Sequence, residues 1–343
     1  MKEKIFFILI LIINIISTSR AENTTIASLA KNKKINFGFA INYDQLHEDK
    51  LFREIIKNEA SIIVPTNALK WKNLNPEPNV YNFNQADYIV DFAVKNKIKV
   101  RGHTLVWHNQ IPNYILENQN PIEAKKILKA HINLVVSRYK NKIESWDVVN
   151  EVINPSDKKP NGLRNSYWYK MLGEQYIDIA FHQAHEADPN AILVYNEWGV
   201  EYDTKWSEEK RRYVLDLIKL LKSNQVPISG FGIQSHLSTN GIKLVNQQLI
   251  EFIKEIEKLG LKVYITELDI KKNNNGSISN AYAKYINIIL DKTDIKDIII
   301  WGVTDKKINS NNQYPYLIFD KNKNENENYN SIKKTFEKNL KDR

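Results

Sequence analysis

Hydrophobic and polar positions follow two regular patterns along the chain. Short runs rich in Ile, Val and Phe, typical of buried strands, alternate with longer segments whose apolar residues recur every three or four positions, as on one face of a helix. Strands that alternate with helices predict parallel pairing, because a parallel crossover needs a connecting element such as a helix. Two of the predicted helix faces consist of Tyr176, Ile177, Ala180, Phe181 and Ala184, and of Leu249, Ile250, Ile253 and Ile256.

Eight strands are predicted, and we find no linker or second domain between them. This repeat predicts an α/β fold, a single (β/α)₈ TIM barrel. An open doubly wound sheet is the alternative, but no glycine-rich first turn is present to hold a nucleotide. The predicted strands are INFGFAIN (35–42), ASIIVPTN (60–67), IKVRGHTLVW (98–107), SWDVVNE (145–151), ILVYNE (192–197), GFGIQSH (230–236), KVYITELD (262–269) and IIIWGVTD (298–305).

Polar residues stand at the carboxyl ends of seven of these strands. In such a barrel all carboxyl ends open on one face, where the active sites of barrel enzymes lie. A single polar strand end often only caps the next helix, but so many together indicate a site at this face. The residues are Asn67, His103, Asn150 with Glu151, Asn196 with Glu197, Gln234 with His236, Glu267, and Asp305.

Two of these strand ends are glutamates, in WDVVNEVI (146–153) and VYITELDI (263–270). A buried strand that ends in a carboxylate must solvate it, pair it or use it. Two carboxylates across a barrel mouth fit glycoside hydrolysis, in which one carboxyl protonates the leaving oxygen and the other attacks or activates water. Amides and imidazoles nearby would bind sugar hydroxyls. Trp107 and Trp301 would stack on sugar rings, although a tryptophan alone is more often a core residue.

Other chemistries find less support in the sequence. It has no cysteine, no H-E-x-x-H motif and no H-x-H pair on a strand, so we expect no metal site. His182 and His185, three positions apart on a predicted helix, are interpreted as surface and packing residues of that helix. The sequence also lacks a G-x-S-x-G motif and a glycine-rich phosphate loop. The net charge of +9 could attract nucleic acid, but the lysines are interleaved with acidic residues. We therefore expect a solvated basic surface and no nucleic-acid partner.

The N-terminus predicts export. A charged start precedes an apolar run over residues 5–16, and Ser19-Arg20-Ala21 forms a small-x-small cleavage pattern. Twelve residues are too few to span a bilayer comfortably. We therefore predict a signal peptide at 1–21, a catalytic barrel at 22–343, a secreted or periplasmic location and no stable membrane insertion after signal removal. Without disulfides, stability must come from the core.

Eight longer motifs stand in order along the chain. They are LKWKNLNPEPNVYNFNQAD, VRGHTLVWHNQIP, ESWDVVNEVI, ADPNAILVYNE, FGIQSHL, YITELDI, IIIWGVTD and YLIFD. These motifs resemble those of glycoside hydrolase family 10, the endo-β-1,4-xylanases, from about residue 36 to the end. The resemblance implies a (β/α)₈ barrel and retaining double-displacement hydrolysis of internal β-1,4-xylosidic bonds of xylan, without metal or cofactor. We expect a monomer.

Carried onto the matching positions, the resemblance implies roles for individual residues. Glu151 resembles the general acid/base and Glu267 the nucleophile, while Asn150 would hold the sugar 2-hydroxyl. His236 would hydrogen-bond the nucleophile and be oriented by Asp269. Residues implied to bind non-reducing-side sugars are Asn67, Lys70, His103, Trp107 and Gln110. Further cleft residues are Asn196, Gln234 and the sugar platform Trp301.

Three departures from the family pattern leave alternatives open. Thr66 replaces a glutamate that grips a sugar, Ile308 and Asn309 replace a Ser-Trp pair over the reacting sugar, and Tyr114 replaces a tryptophan. A related barrel acting on cellulose or mixed β-glucan is one alternative, because a lost tryptophan could make room for a hydroxymethyl group. A catalytically impaired carbohydrate-binding barrel is the other, although both glutamates and Asn150 are present.

Overall fold

The computed structural model describes residues 24–273, 276–305 and 317–341. In these residues, parallel strands are interleaved with helices along the whole chain. The strands are β1 Asn36–Ile41, β2 Ile62–Pro65, β3 Lys99–Gly102, β4 Ser145–Asn150, β5 Ile192–Glu197, β6 Gly230–Ile233, β7 His236–Ser238, β8 Lys262–Lys271 and β9 Asp297–Ile300.

The helices of the described residues are α1 Ile26–Asn32, α2 Tyr43–Glu48, α3 Lys50–Glu59, α4 Trp71–Leu74, α5 Asn84–Lys95, α6 Asn113–Leu116, α7 Pro121–Arg138, α8 Tyr167–Leu172, α9 Gln175–Ala187, α10 Lys205–Ser223, α11 Gln247–Lys258, α12 Ile278–Lys292 and α13 Glu327–Lys341, with 3₁₀ turns at Pro155–Asp157, Pro160–Gly162 and Gly241–Leu244. Several of these helices have a side-chain cap at the first turn, such as Asn120 before α7 and Thr204 before α10.

The sheet closes into a ring. Strands β1 to β6 pair in chain order, β1 pairs with β9, β9 with β8, and β8 with β6. Eight strands therefore make the barrel, and the (β/α)₈ prediction is confirmed. The ninth, β7, is a short addition that pairs with the upper part of β8, where His236 lies opposite Asp269.

The structure corrects the predicted strand at 230–236. Strand β6 ends at Ile233, and Ser235 adopts a left-handed backbone with φ 64°. A residue other than glycine rarely takes this conformation, and it cannot continue a strand. The turn at Ser235 therefore detaches His236 from the barrel strand and passes it to β7.

Strands β3 and β9 are also shorter than predicted, since they end at Gly102 and Ile300. The chain after β3 still follows β4, because the backbone N–H groups of Leu105 and Val106 donate to carbonyls of β4 at 3.0 Å. Trp107 is therefore carried on a loop that is held against β4.

The main hydrophobic core lies between the barrel and its helices, and the predicted apolar faces of α9 and α11 are buried in it. Inside the barrel, a second small apolar cluster of Ala40, Ile62, Val64 and Ile299 packs against Trp301. Much of the remaining interior is polar. The side chains that are at most 1% exposed there are Arg101, Asp147, Asn196 and Thr266.

Within the described ranges, no helix is both long and apolar enough to cross a membrane. The predicted signal peptide at 1–21 lies outside these ranges, as do Ile308 and Asn309.

Candidate active site

The barrel is irregular on the two strands that carry the glutamates. Strands β4 and β5 shift register between Asp147 and Val149, and β8 and β9 shift between Ile265 and Leu268. Such bulges re-aim side chains and are frequent beside active sites. They accompany Glu151, just beyond the end of β4, and Glu267, within β8.

Glu267 is buried and hydrogen-bonded through both carboxylate oxygens. Asn196 Nδ2 donates to Oε1 at 2.8 Å, and His236 Nε2 lies 3.3 Å from Oε2. Burial raises the pKa of this carboxyl, but attraction to His103 and the hydrogen bonds to His236 and Asn196 outweigh it, so the pKa lies below the ordinary value. The site therefore holds Glu267 as an ionised carboxylate.

His236 bridges Glu267 and a second carboxylate. Its Nδ1 lies 2.9 Å from Asp269 Oδ2. Burial lowers the pKa of His236, but the hydrogen bonds to Asp269 and Glu267 raise it well above its ordinary value. A protonated imidazole donates through both nitrogens, so Asp269 orients the ring that donates to Glu267.

His103 lies beneath Glu267 and is itself supported from below. Its Nδ1 is 2.9 Å from Asp147 Oδ2 and 3.9 Å from Glu267 Oε1. Asp147 in turn forms an ion pair with Arg101, and all three supporting side chains are at most 3% exposed. A buried chain of charged and polar groups thus rises through the barrel to Glu267.

Glu151 has a less confined setting. It adopts a left-handed backbone with φ 59°, a strained conformation that often marks functional positions. Gln234 Nε2 and Asn150 Nδ2 donate to its Oε1 at 3.2 and 3.4 Å. Its Oε2 lies 3.7 Å from His108 Nδ1 and 3.9 Å from Arg164 Nη2. The carboxyl therefore has several neighbours, each at a long distance.

Three buried amides connect the two glutamates. Asn196 Nδ2 donates to Asn150 Oδ1 at 2.9 Å as well as to Glu267, and Gln234 Nε2 donates to the same oxygen at 3.2 Å as well as to Glu151. Each amide is at most 3% exposed. The network fixes the positions of the two carboxyl groups relative to each other.

The orientation of Asn196 follows from its neighbours in the barrel. Thr266 Oγ1 donates to Asn196 Oδ1 at 2.7 Å, which turns the amide nitrogen toward Glu267. Gly232 makes room for this contact, because a Cβ at that position would lie 2.2 Å from Asn196 Oδ1. The second glycine of GFG thus allows a close approach that no other residue permits.

Lys70 and two tryptophans form the wall above Glu267. Lys70 Nζ lies 5.2 Å from the centroid of the Trp107 ring, while Trp301 meets the rings of His103 and His236 edge-on at 5.4 and 6.3 Å. Burial lowers the pKa of Lys70, against the attraction of both glutamates. This wall offers ring faces and one cation to a ligand.

Asn67 and Gln110 lie on the exposed rim of the mouth. Asn67 Oδ1 accepts a long hydrogen bond of 3.4 Å from Lys70. Gln110 has φ 55°, and its backbone carbonyl accepts from the Lys72 N–H, which leaves its side chain at the surface. Both side chains could reach a ligand that extends beyond the wall.

The departures at Thr66 and Tyr114 are visible in the structure. Thr66 Oγ1 donates to the carbonyl of Ile41 at 3.0 Å, so its hydroxyl serves the backbone of β1. Tyr114 donates its hydroxyl to the side chain of Asn75, behind the rim. Neither group compensates for a carboxylate beside Asn67.

Sequence reasoning missed Arg164 and assigned no role at the mouth to His108. Arg164 Nε donates to the Glu151 carbonyl at 2.6 Å, and the two 3₁₀ turns after β4 bring it there from thirteen positions away. Burial and the charge of Arg164 lower the pKa of His108 to about 4. The only sequence signal for His108 is its position next to Trp107. The sequence gives no signal for Arg164.

The expectation that Glu197 faces the mouth together with Asn196 is wrong. Successive residues of a strand point to opposite sides, so Asn196 faces the barrel interior and Glu197 faces away from it. Glu197 is completely buried in an ion pair with Lys210 at 2.7 Å, and it accepts from the Ile153 N–H at 3.0 Å and from Tyr195. It therefore supports the segment that follows Glu151 from behind.

Metal-binding groups are sparse in the part of the chain that the structure describes, where no three His, Asp or Glu side chains gather closely enough to hold an ion. His182 and His185 are exposed on α9. His131 is buried and stacks on Trp71 with ring centroids 3.6 Å apart.

The fold and the site define a class of protein. The (β/α)₈ barrel holds one ionised, buried carboxylate and one more loosely held carboxyl at its mouth, joined by amides and flanked by tryptophans. These features are those of a glycoside hydrolase. The chain belongs to glycosyl hydrolase family 10, whose model matches residues 25–335.

Individual relatives are similar over almost the full chain. The protein is 35% identical to endo-1,4-beta-xylanase B of Thermotoga neapolitana over 98% of each chain. It is also 35% identical to a beta-1,4-xylanase of Dictyoglomus thermophilum, over 92% of this chain and 95% of that one. Xylanase 10B of Thermotoga petrophila RKU-1, solved in complex with xylobiose, superimposes with a TM-score of 0.83 at 35% identity, covering 93% of this chain and 99% of that chain.

Proposed function

We propose that the protein is a retaining endo-1,4-β-xylanase in which Glu267 is the nucleophile and Glu151 the general acid/base. The observation that carries the assignment is the unequal setting of the two glutamates. Glu267 is kept ionised by His236 and Asn196, whereas Glu151 stands at the end of β4 with long, replaceable contacts. An attacking group needs the first setting, and a group that gives and takes a proton needs the second.

The first step forms a covalent intermediate. A Glu267 oxygen attacks the anomeric carbon, the bond from that carbon to the leaving oxygen breaks, and the leaving oxygen takes the proton of Glu151. In the second step, water gives a proton to Glu151 while its oxygen attacks the anomeric carbon. The bond to Glu267 breaks, and the carboxylate and the protonated acid are restored.

The remaining site residues bind and orient the substrate. Asn150 is next to Glu151 and 3% exposed, and in this proposal it binds the hydroxyl nearest the reacting carbon. Trp301 lies at the barrel mouth beside His103 and His236, where a sugar ring over Glu267 would rest on it. Lys70 and Trp107 extend the binding wall toward Asn67 and the rim.

Initial-rate assays on xylan, cellulose and mixed β-glucan, measured side by side, test the proposal. We expect release of reducing sugar from xylan at a rate that exceeds the other two, with internal cleavage seen as a rapid fall in viscosity. Proton NMR of the first product should show the β-anomer before mutarotation. Faster glucan cleavage would assign the protein to the β-glucan class, and a first-formed α-anomer would exclude double displacement.

We also propose that residues 1–21 direct export and are then removed, and that the enzyme acts as a monomer in a secreted or periplasmic location. The apolar run over residues 5–16 and the Ser19-Arg20-Ala21 pattern support the export proposal. Mass spectrometry of protein recovered from outside the cytoplasm should give a chain that starts at Glu22, and light scattering should give the mass of one chain.

A further inference from the structure

His236 is carried by a short piece of chain outside the barrel. Strand β7, to which it belongs, has three residues and pairs with β8. Ser235, just before it, has a left-handed backbone with φ 64°, which persists in a residue other than glycine only where the surroundings hold it. The side chain of His236 is 34% exposed, so packing covers the ring only in part. Hydrogen bonds to the backbone on either side therefore decide where the ring lies.

The loop between β5 and α10, residues 198–204, makes such hydrogen bonds. Glu201 Oε1 accepts from the Ser235 N–H at 2.8 Å, and the Tyr202 hydroxyl accepts from the Ser238 N–H at 2.9 Å. Two adjacent side chains thus bind the backbone one residue before and two residues after His236. Glu201 is 2% exposed and Ser235 is completely buried, so water does not compete for the first of these bonds.

The loop is itself held from helix α10. Arg211 Nη1 donates to the carbonyls of Val200 and Tyr202 at 2.9 and 2.8 Å, on the two sides of Glu201. The Tyr202 ring lies against Gly241, where an added Cβ would come within 2.6 Å of it. Residues 200–202 therefore form a support that is fixed independently of His236.

His236 depends on this support more than its neighbour Gln234 does. The Gln234 N–H donates to the Glu197 carbonyl at 2.9 Å, so Gln234 is still bonded to barrel strand β5. His236 follows the turn at Ser235, and its Nε2 lies 3.3 Å from Glu267 Oε2. This distance is already long for a charge-assisted hydrogen bond, so a small shift of the ring would break it.

We propose that Glu201 and Tyr202 are positioning residues, which hold the His236 ring in place by binding the backbone on both sides of it. The ring is thereby kept between Glu267 and Asp269. The inference rests on the proposed function, in which His236 helps to keep the nucleophile ionised, and extends it to two residues of a neighbouring loop.

Four variants test the proposal. Tyr202→Phe removes one acceptor and changes no charge. Glu201→Gln keeps an acceptor for the Ser235 N–H, whereas Glu201→Leu removes it. Tyr139→Phe is the matched control, because Tyr139 is a buried tyrosine whose hydroxyl donates to Asp87 at 3.0 Å in the layer of helices. The pH profile of kcat/KM is measured on xylohexaose, and thermal unfolding confirms that each variant is folded.

We expect Tyr202→Phe to lose about three- to tenfold in kcat/KM below neutral pH, the worth of one hydrogen bond. A displaced His236 ring lets the pKa of Glu267 rise, so the acid limb of the profile should move to higher pH. Glu201→Leu should lose more than Tyr202→Phe, and Glu201→Gln less than about threefold, while Tyr139→Phe stays within about twofold of wild type at every pH.

Two results would overturn the proposal in this series. One is a loss in Tyr202→Phe that is equal at all pH values or no larger than that of Tyr139→Phe. The other is a loss in Glu201→Gln as large as that in Glu201→Leu, because the acceptor would then not be what matters. If Glu201→Leu does not fold, the same loss in Glu201→Gln as in Tyr202→Phe takes the place of the second result.

A double-variant cycle shows whether Tyr202 acts through His236. In a His236→Asn background, Tyr202→Phe should cause less than about twofold further loss, since the ring that it positions is absent. A further loss as large as that in the wild-type background would overturn the proposal.

An NMR titration of the His236 ring tests the positioning without enzyme activity. Its signals are assigned by their absence from His236→Asn. Glu267, Asp269 and Glu201 all face this ring, so the comparison uses Tyr202→Phe, which leaves every charge in place. Weaker hydrogen bonds to the two aspartate and glutamate partners should lower the pKa of His236 in this variant. If the wild type cleaves no xylan, the proposed function fails, and an unchanged pKa of His236 in Tyr202→Phe would still overturn the positioning role.

Discussion

The two glutamates at the mouth differ in how the fold holds them. Glu267 lies inside β8 with 6% of its side chain exposed, and its closest partners are at 2.8 and 3.3 Å. Glu151 lies beyond the end of β4 in a left-handed conformation with 14% exposed, and its side-chain partners are at 3.2 to 3.9 Å. One carboxyl is held rigidly inside a strand, and the other is held loosely at a strand end.

The difference matches the roles proposed for the two groups. A nucleophile that stays ionised gains from short, charge-assisted hydrogen bonds, because they lower its pKa and fix its position. An acid/base must exchange a proton with two different oxygens during the cycle, so close fixed partners would compete with its task. The structure thus distinguishes the two carboxyl groups by backbone position and by the closeness of their hydrogen-bond partners.

Removing either carboxyl is the strongest test of whether both glutamates are needed for hydrolysis. We expect Glu267→Ala and Glu151→Ala each to reduce xylan hydrolysis by a factor on the order of 10³ or more, with the fold retained. Residual activity above a few per cent of wild type in either variant would contradict the assignment.

Rescue by azide distinguishes the roles of the two glutamates. On an aryl glycoside with an activated leaving group, Glu151→Ala should still form the covalent intermediate, and azide should then give a β-glycosyl azide. Glu267→Ala forms no such intermediate, so azide attacks directly and gives the α-product. NMR of the two products checks this, and the reverse pattern would exchange the roles.

The next prediction removes what keeps Glu267 ionised. In His236→Asn the hydrogen bond to Oε2 is lost while burial, which raises the pKa, remains. The pKa of Glu267 should rise, so the acid limb of the kcat/KM profile should move to higher pH. Below neutral pH we expect a loss of about ten- to a hundredfold. A pH–rate profile measures this, and a uniform loss at all pH values would indicate a purely structural role for His236.

Several features of this site could be predicted from sequence because they depend on local pattern. Glu151 and Glu267 each follow a β-branched run, and the closed barrel brings strand ends together whatever their separation in the chain. Ser235 could not be predicted, because nothing in its sequence neighbourhood requires a left-handed turn. Arg164 depends on two 3₁₀ turns for its approach. Strand alternation places Glu197 on the side of β5 opposite Asn196, where it pairs with Lys210.

Substitution of Glu197 tests whether its contacts with Ile153 and Lys210 position Glu151, the proposed acid/base. Glu197→Gln should weaken the acceptor for the Ile153 N–H and leave Lys210 buried without its ion-pair partner, destabilising the fold by about 3–5 kcal/mol. We expect kcat on xylan to fall about tenfold, as for a misplaced general acid.

Two controls distinguish positioning from general damage. Glu197→Gln/Lys210→Met should recover much of the lost stability, because no unpaired charge is then buried, but it should not recover kcat on xylan. An activated aryl glycoside needs no proton on its leaving group, so its first step should be unaffected in both variants. Equal losses on xylan and on the aryl substrate would exclude a positioning role.

The smallest expected effect concerns Thr66, on the glycone side of the rigid glutamate. Its side chain is too short to offer the two acceptor oxygens of a glutamate, and its hydroxyl is already bonded to Ile41. Wild-type enzyme should therefore cleave xylobiose and xylotriose glycosides poorly relative to xylan. Thr66→Glu should raise kcat/KM on these short glycosides by about three- to tenfold. This is part of the roughly ten- to hundredfold that one charge-assisted hydrogen bond contributes when fully formed. Thr66→Gln, which has the length but not the charge, should give less. If Thr66→Glu leaves short-substrate kcat/KM unchanged or lower, the missing contact does not limit binding.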